Sequence, residues 1–188
     1  RRSAQLLYVL TALFWFSQYA VTPYINAELE LMGQTAGFMG LVSGAYGFSQ
    51  MLVRVPAGML ADRLGRQKPF IVLGCALTAV SGIGFLLWYT PASFLTMRLL
   101  AGLASASWVS FTVMYGGLFP PQEGPRRISQ LNIANQGGRL LCFILVAWAV
   151  ARYGLRSAFD IAAAAGLLCL VMSLLLKEKP KPGTGLSF

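Results

Sequence analysis

The sequence lacks histidine altogether and is poor in acidic residues, which removes most catalytic and metal-binding chemistry from consideration. It has six aspartates and glutamates among 188 residues, and its three cysteines show no Cys-x-x-Cys spacing. Protein metal sites are built chiefly from histidine, cysteine and carboxylate ligands. The Gly-x-Ser-x-Gly motif of one large hydrolase class is also missing. We therefore predict a protein that is not an enzyme and that holds no metal or cofactor.

Charged residues are scarce as a whole, while hydrophobic residues are abundant. Charged side chains make up 11% of the chain and hydrophobic ones 56%, whereas a soluble domain carries about 25% charged residues. The apolar residues form uncharged runs of the roughly 20 residues that a helix needs to cross a bilayer. We predict an all-α integral membrane protein. The net charge is +9, but the cations stand between the apolar runs and not on one face, so we exclude nucleic acid as a partner.

The apolar runs divide the chain into six predicted transmembrane helices. They cover about residues 4–25, 34–61, 70–89, 92–119, 127–151 and 156–176, and residues 26–33 are predicted to form a polar loop. Cys75, Cys142 and Cys169 fall within these runs and are predicted to be small membrane residues without disulfides. Residues 1–176 are thus predicted to form one bundle. Residues 177–188, basic and then rich in proline and glycine, are predicted to begin a cytoplasmic linker.

The distribution of lysine and arginine predicts the orientation of the bundle. Ten of the fifteen cations lie at the amino terminus, in the loops after helices 2 and 4, and in the tail. Only Arg152 and Arg156 lie in the loops of the opposite side. Short loops rich in lysine and arginine stay in the cytoplasm. We therefore predict cytoplasmic termini and, as the setting, a bacterial inner or plasma membrane.

A short basic stretch joins predicted helices 2 and 3, and it reads Gly58-Met59-Leu60-Ala61-Asp62-Arg63-Leu64-Gly65-Arg66-Gln67-Lys68-Pro69. It resembles the signature loop of the major facilitator superfamily (MFS) of transporters, roughly Gly-x-Leu-Ala-Asp-Arg-x-Gly-Arg-Arg/Lys, and departs from it at Gln67. The resemblance implies a gating loop made of Gly58, Asp62, Arg63, Gly65, Arg66 and Lys68. The alternative is an ordinary basic cytoplasmic loop.

Predicted helix 4 carries a second match, because Arg98-Leu99-Leu100-Ala101-Gly102 resembles the Arg-x-x-x-Gly element of the same family. The resemblance covers nearly the whole chain. It implies the N-terminal six-helix half of an MFS transporter, a bundle of three-plus-three inverted repeats. Such a half pairs with a C-terminal half or a second copy and carries a small solute by alternating access. The alternative is a six-helix membrane module that does not transport and pairs with itself or another protein.

Polar and aromatic residues recur at helical spacing on predicted helices 1, 4 and 5. A charge at the centre of a membrane helix costs about 3 kcal/mol and usually faces a cavity or a partner. The resemblance implies that helices 1 and 4 line the central cavity. We therefore predict a substrate pathway of Arg98, Arg139, Trp15, Gln18, Trp108, Tyr115 and Gln136. The two arginines favour an anionic, carboxylate-bearing or drug-like solute. The alternative is that these side chains hold helices together, worth less than about 1 kcal/mol each.

Predicted helix 2 carries glycines along one face, at Gly37, Gly40, Gly44 and Gly47. Small residues at this spacing let helices approach closely, so we predict a helix-packing role for them. A sliding contact with the other half of a transporter is the functional alternative.

Overall fold

The computed structural model describes residues 2–178, which form helices joined by short turns, without a β-strand. In order, the helices are α1 (Arg2–Ala20), α2 (Ile25–Leu31), α3 (Ala36–Leu64), α4 (Lys68–Leu87), α5 (Pro91–Ser105), α6 (Trp108–Gly116), α7 (Gly124–Tyr153) and α8 (Arg156–Leu174). Five stretches are long and apolar enough to cross a membrane: Arg2–Leu31, Lys68–Leu87, Pro91–Gly116, Pro121–Tyr153 and Arg156–Leu174. The prediction of an all-α membrane protein is confirmed. Residues 179–188 of the predicted linker lie outside the described part of the chain.

The sixth long helix, α3, is less apolar than these five stretches. It has 29 residues and contains Arg54, Pro56 and the glycine stripe. At 1.5 Å per residue it is about 43 Å long, more than the roughly 30 Å of a bilayer core. With α3 counted by its length, residues 2–178 contain six segments that are long enough to cross a membrane, in agreement with the six predicted helices.

The prediction of a polar loop at residues 26–33 is wrong for most of these residues. α1 ends at Ala20, a turn containing Pro23 follows, and α2 then covers Ile25–Leu31. Alanine, glutamate and leucine in this segment are strong helix formers, and Ile25 and Leu29 are buried in the core. Polarity predicted a loop here, but helix propensity and two buried apolar side chains favour a helix.

A hydrogen bond attaches α2 to the turn between α4 and α5. The Tyr89 hydroxyl donates to the carboxylate of Glu28, which is buried. Partial burial, and then this hydrogen bond, raise the pKa of Tyr89 to about 12, so the hydroxyl keeps its proton at neutral pH. The bond holds α2 against the end of the bundle opposite the signature loop.

Predicted helix 4 is also interrupted, because α5 ends at Ser105 and α6 begins at Trp108. The Ser105 hydroxyl donates to the carbonyl of Gly102, and the Ser107 hydroxyl donates to that of Ala104. Serine hydroxyls that bond to backbone carbonyls one turn earlier compete with the helix and bend it. Both bonds lie at the break between α5 and α6.

The most extensive helix contacts pair α4 with α8, α1 with α7, and α3 with α5. Glycines permit the closest approaches. A Cβ on Gly82 of α4 would lie 2.9 Å from the Cα of Ala163, and a Cβ on Gly166 of α8 would lie 3.0 Å from the Cα of Ala79. The two helices thus contact one another through a reciprocal pair of glycines. All three cysteines are buried free thiols, as predicted for small membrane residues.

The glycine stripe of α3 faces away from the rest of the described chain. A Cβ on Gly40, Gly44 or Gly47 would have no atom within 4 Å, and one on Gly37 would meet only Thr35 of the preceding turn. Large apolar side chains on α3 and α7 are exposed in the same way, among them Met51, Val55, Leu140, Ile144 and Trp148. The predicted packing role of the stripe therefore concerns a surface outside the described residues, and it stays a prediction.

Candidate functional site

Arg98 is a buried cation without an acidic partner. It projects from α5, is 6% exposed, and places its guanidinium carbon 4.4 Å from the centre of the Tyr46 ring on α3. Its Nε makes no hydrogen bond. Within residues 2–178 the only ion pair joins Arg127 to Glu123, at the beginning of α7. The aromatic ring therefore offsets only part of the cost of burying this charge.

Arg139 of α7 lies in a cluster of aromatic rings from α1 and α6. Its guanidinium carbon is 3.7 Å from the centre of the Tyr19 ring and 5.7 Å from that of Trp15. Arg139 Nη1 also donates to Gln136 Oε1 at 3.0 Å. Trp108 packs edge-on against Trp15, with ring centres 5.7 Å apart. The arrangement combines a cation with several flat apolar faces.

Four buried polar atoms in this region have no hydrogen-bonding partner: Trp15 Nε1, the Tyr46 hydroxyl, Arg98 Nε and Asn135 Oδ1. Buried polar groups are almost always hydrogen-bonded in native proteins. Three of the four atoms can donate, which fits a ligand rich in acceptor oxygens.

Four of the seven predicted pathway residues are joined by direct contacts: Arg139, Gln136, Trp15 and Trp108. Arg98 contacts Tyr46 instead, and Gln18 and Tyr115 have other neighbours. Gln18 lies between helices, where its Nε2 donates to Thr78 Oγ1 at 2.9 Å and to the carbonyl of Ala101 at 3.3 Å. Tyr115 packs against Phe119 near the end of α6, with ring centres 5.3 Å apart. The hydrogen bonds of Gln18 tie α1 to α4 and α5, as the packing alternative expects, and its pathway role stays a prediction.

Sequence analysis missed three members of the site: Tyr19, Tyr46 and Asn135. Tyr19 follows Trp15 by four residues, and Asn135 precedes Arg139 by four, so both share a helical face with a predicted residue. Helical spacing could have found these two residues. Tyr46 is set among the glycines of α3, and only the tertiary contact with Arg98 identifies it.

The signature loop begins where α3 ends. Gly65 has a φ of 60°, the left-handed conformation that a glycine adopts without strain, and Arg66 N–H bonds back to the carbonyl of Ala61. Gly58 lies against α6, since a Cβ there would be 3.4 Å from Val109 Cγ1. Gly65 thus ends α3 with a left-handed turn.

Asp62, Arg63 and Arg66 of the loop are exposed, and Lys68 is half-buried. None of the four forms an ion pair within residues 2–178. The Asp62 carboxylate instead accepts a hydrogen bond from Gln67 Nε2 at 3.1 Å. Gln67 is the position at which this loop departs from the family pattern, so the departure supplies a partner for the acid. Arg63 and Arg66 remain available to a surface outside the described residues.

A carboxylate from the far end of the chain meets the signature loop. Glu178 accepts hydrogen bonds from the backbone N–H of Gln67 at 2.7 Å and from that of Lys68 at 2.8 Å. In return, Lys68 Nζ donates to the carbonyl of Leu174 at 3.1 Å. The sequence gives no sign of this contact, because 110 residues separate Lys68 from Glu178.

Comparison with known proteins places these features in a family. A model of the Major Facilitator Superfamily matches residues 6–187. The quinolone resistance protein NorA of Staphylococcus aureus is 27% identical over 188 residues, which are 97% of this chain and 47% of NorA. The efflux pump azaK of Aspergillus niger is 27% identical over 131 residues, 65% of this chain and 27% of azaK. This chain thus spans about half the length of NorA. Because the family match extends over nearly all of its residues, the chain belongs to the Major Facilitator Superfamily.

Proposed function

We propose that this chain forms half of a secondary transporter that carries a small anionic or carboxylate-bearing, drug-like solute across the membrane. The observation that carries the proposal is Arg98, a buried cation that forms no ion pair with an acid among residues 2–178. A second cation, Arg139, lies against the Tyr19 and Trp15 rings. Family membership supports transport as the activity. The names of the relatives, a quinolone resistance protein and an efflux pump, support a drug-like solute.

The chemistry of the site favours an aromatic anion. Two unit charges 4 Å apart attract by about 4 kcal/mol at an effective dielectric constant of 20, so an anion would offset the burial of Arg98. The Trp15, Tyr19 and Trp108 rings offer apolar faces for a flat molecule. The unpaired donors of Trp15 and Tyr46 can bind carboxylate oxygens.

Ligand-dependent thermal stability of the native gene product in detergent tests this proposal. The probes are 2-naphthoate, the neutral 2-naphthamide and the cationic naphthylmethylammonium, which share one ring system. A ligand at a hundred times its dissociation constant stabilises its target by about 2.7 kcal/mol. We expect this shift with naphthoate alone, its loss in Arg139→Gln, and its retention in Arg152→Gln, an exposed control. Equal shifts with the amide or the ammonium ion would contradict an anion site.

The helix contacts support the proposal that the bundle is a three-plus-three inverted repeat. The six membrane segments are α1 with α2, α3, α4, α5 with α6, α7, and α8. Each of the first three segments can be exchanged with the segment three places later in the chain. The α1–α7 contact then becomes the α5–α3 contact, and the α4–α8 contact is unchanged. An approximate two-fold axis in the membrane plane has this effect.

The proposed partner of this half is a second six-helix half, encoded in the same gene or supplied by a second copy. The exposed apolar side chains of α3 and α7 and the open glycine stripe support such a contact. The positive-inside distribution supports cytoplasmic termini, and the bacterial relative supports a plasma membrane as the setting.

A six-helix module that pairs without transporting is the second candidate, and the same open glycine stripe favours it. Uptake of labelled substrate into proteoliposomes discriminates between the two. A module that only pairs would give no flux above that of empty vesicles, whatever its partner.

Neutralising Asp62 is expected to impair transport. We propose that this exposed acid, held by Gln67, pairs across the interface with the other half and holds one state of the alternating cycle. Charge-assisted hydrogen bonds are worth about 1.5–3 kcal/mol, so Asp62→Asn should slow transport about tenfold or more. Membrane insertion should not change. Flux measured in proteoliposomes at equal protein content checks this prediction. An Asp62→Asn variant with the flux of the wild type would contradict a gating role for Asp62.

A further inference from the structure

Lys68 and Glu178 join the ends of two antiparallel helices. Glu178 follows α8 and binds two N–H groups at the start of α4, while Lys68 begins α4 and binds the Leu174 carbonyl at the end of α8. We name these three hydrogen bonds the end clasp. Each helix end receives a side chain of the charge that it favours, an anion at the amino end and a cation at the carboxyl end.

The end clasp is connected to Asp62 through Gln67. The Gln67 backbone N–H binds Glu178, and the Gln67 side-chain amide binds Asp62. Gln67 is 7% exposed, so it is buried between the exposed Asp62 and the half-buried Glu178. A continuous chain of hydrogen bonds therefore runs from the end of α8, through Gln67, to the acid of the signature loop.

We propose that Glu178 is a positioning residue, which holds Gln67 so that its amide fixes the Asp62 carboxylate. The proposal rests on the transport function proposed above, and it extends the gating machinery to a residue outside the signature motif. Without Glu178, two N–H groups at the start of α4 lose their acceptor and the Gln67 backbone is released. Asp62 then becomes mobile, while the solute site around Arg98 keeps its structure.

Amide hydrogen exchange tests the end clasp independently of any transport. In the native gene product, Glu178→Ala should speed exchange at the Gln67 and Lys68 amides at least about tenfold, because each loses its only carboxylate acceptor. Glu178→Gln retains an acceptor oxygen and should give a smaller increase. Glu30→Ala, which removes an exposed acid at the far end of the bundle, is the matched control. Unchanged exchange at both amides in Glu178→Ala would overturn the proposal.

A double-mutant cycle tests the positioning role. Glu178→Ala and Gln67→Ala interrupt the same chain of hydrogen bonds, so each should reduce flux about tenfold and the double variant should reduce it no further. If Glu178 only stabilised the structure, its effect would be independent of that of Gln67, and the double variant would lose about a hundredfold in flux. Substrate affinity should stay at the wild-type value throughout.

The two experiments separate failure of this inference from failure of the proposed function. If Glu178→Ala speeds amide exchange but the wild-type protein shows no flux, the end clasp is supported and the transport function is contradicted. Normal flux in Glu178→Ala, with faster exchange, would overturn the positioning role alone.

Discussion

Replacing Gly138 by valine is expected to abolish accumulation of the folded protein in the membrane, whereas the same change at Gly137 should leave accumulation nearly normal. A Cβ on Gly138 would lie 2.1 Å from the carbonyl oxygen of Ala12 and 2.9 Å from its Cα. These are backbone atoms of α1, so no side-chain rotation can make room. Helix α7 would have to move away from α1 along one of the most extensive contacts of the bundle.

The expected magnitude follows from overpacking energies. Extra groups forced into a packed interior cost about 1–3 kcal/mol even where side chains can adjust, and a clash with backbone lies above that range. Gly137 has no atom within 4 Å of its Cβ position, and changes at such open positions shift yield by only about twofold. Fluorescence-detected size-exclusion chromatography of tagged variants measures the folded fraction. Equal yields from the two valine variants would contradict the close contact between α1 and α7.

Arg98→Met is expected to abolish transport while it stabilises the fold. The guanidinium is buried, one of its nitrogens is unpaired, and no acid among residues 2–178 forms an ion pair with it. A charge at such a depth costs about 3 kcal/mol, and methionine fills a similar space without that cost. Loss of the charge that attracts the solute should lower flux about a hundredfold, which corresponds to about 2.7 kcal/mol.

Opposite changes in stability and flux are the signature of a functional charge. Thermal melting in detergent and flux in proteoliposomes are measured on the same preparations. Arg98→Lys keeps the charge but loses the planar group over Tyr46, so it should retain part of the flux. A lower melting temperature in Arg98→Met would instead indicate that this arginine serves the structure.

Local patterns in the sequence account for much of the fold. The six apolar runs and the left-handed glycine at Gly65 were predictable, because helix length and turn conformation depend on neighbouring residues. Polarity alone failed at residues 26–33, where the strong helix propensity of α2 and the burial of Ile25 and Leu29 decide the structure. The break after Ser105 was not predicted, because neither proline nor glycine stands at positions 106 and 107.

The candidate site was predictable only in part. Helical spacing identified Arg98, Arg139 and Trp15, because residues on one helical face share an environment. Spacing does not say which helix lies opposite, so the hydrogen bonds of the Gln18 amide to Thr78 and Ala101 could not be predicted. Glu178 could not be found at all, since its partners lie more than a hundred residues earlier in the chain.

The reciprocal glycines of α4 and α8 restrict how this bundle can move. Gly82 lies against Ala163 and Gly166 against Ala79, so backbone meets backbone at two heights along the pair. A slide of either helix along its axis would move these glycines out of register with the backbone they contact, and larger side chains one turn away would approach instead. Sliding between α4 and α8 is therefore expected to be costly, so this pair should move as one unit in any large conformational change.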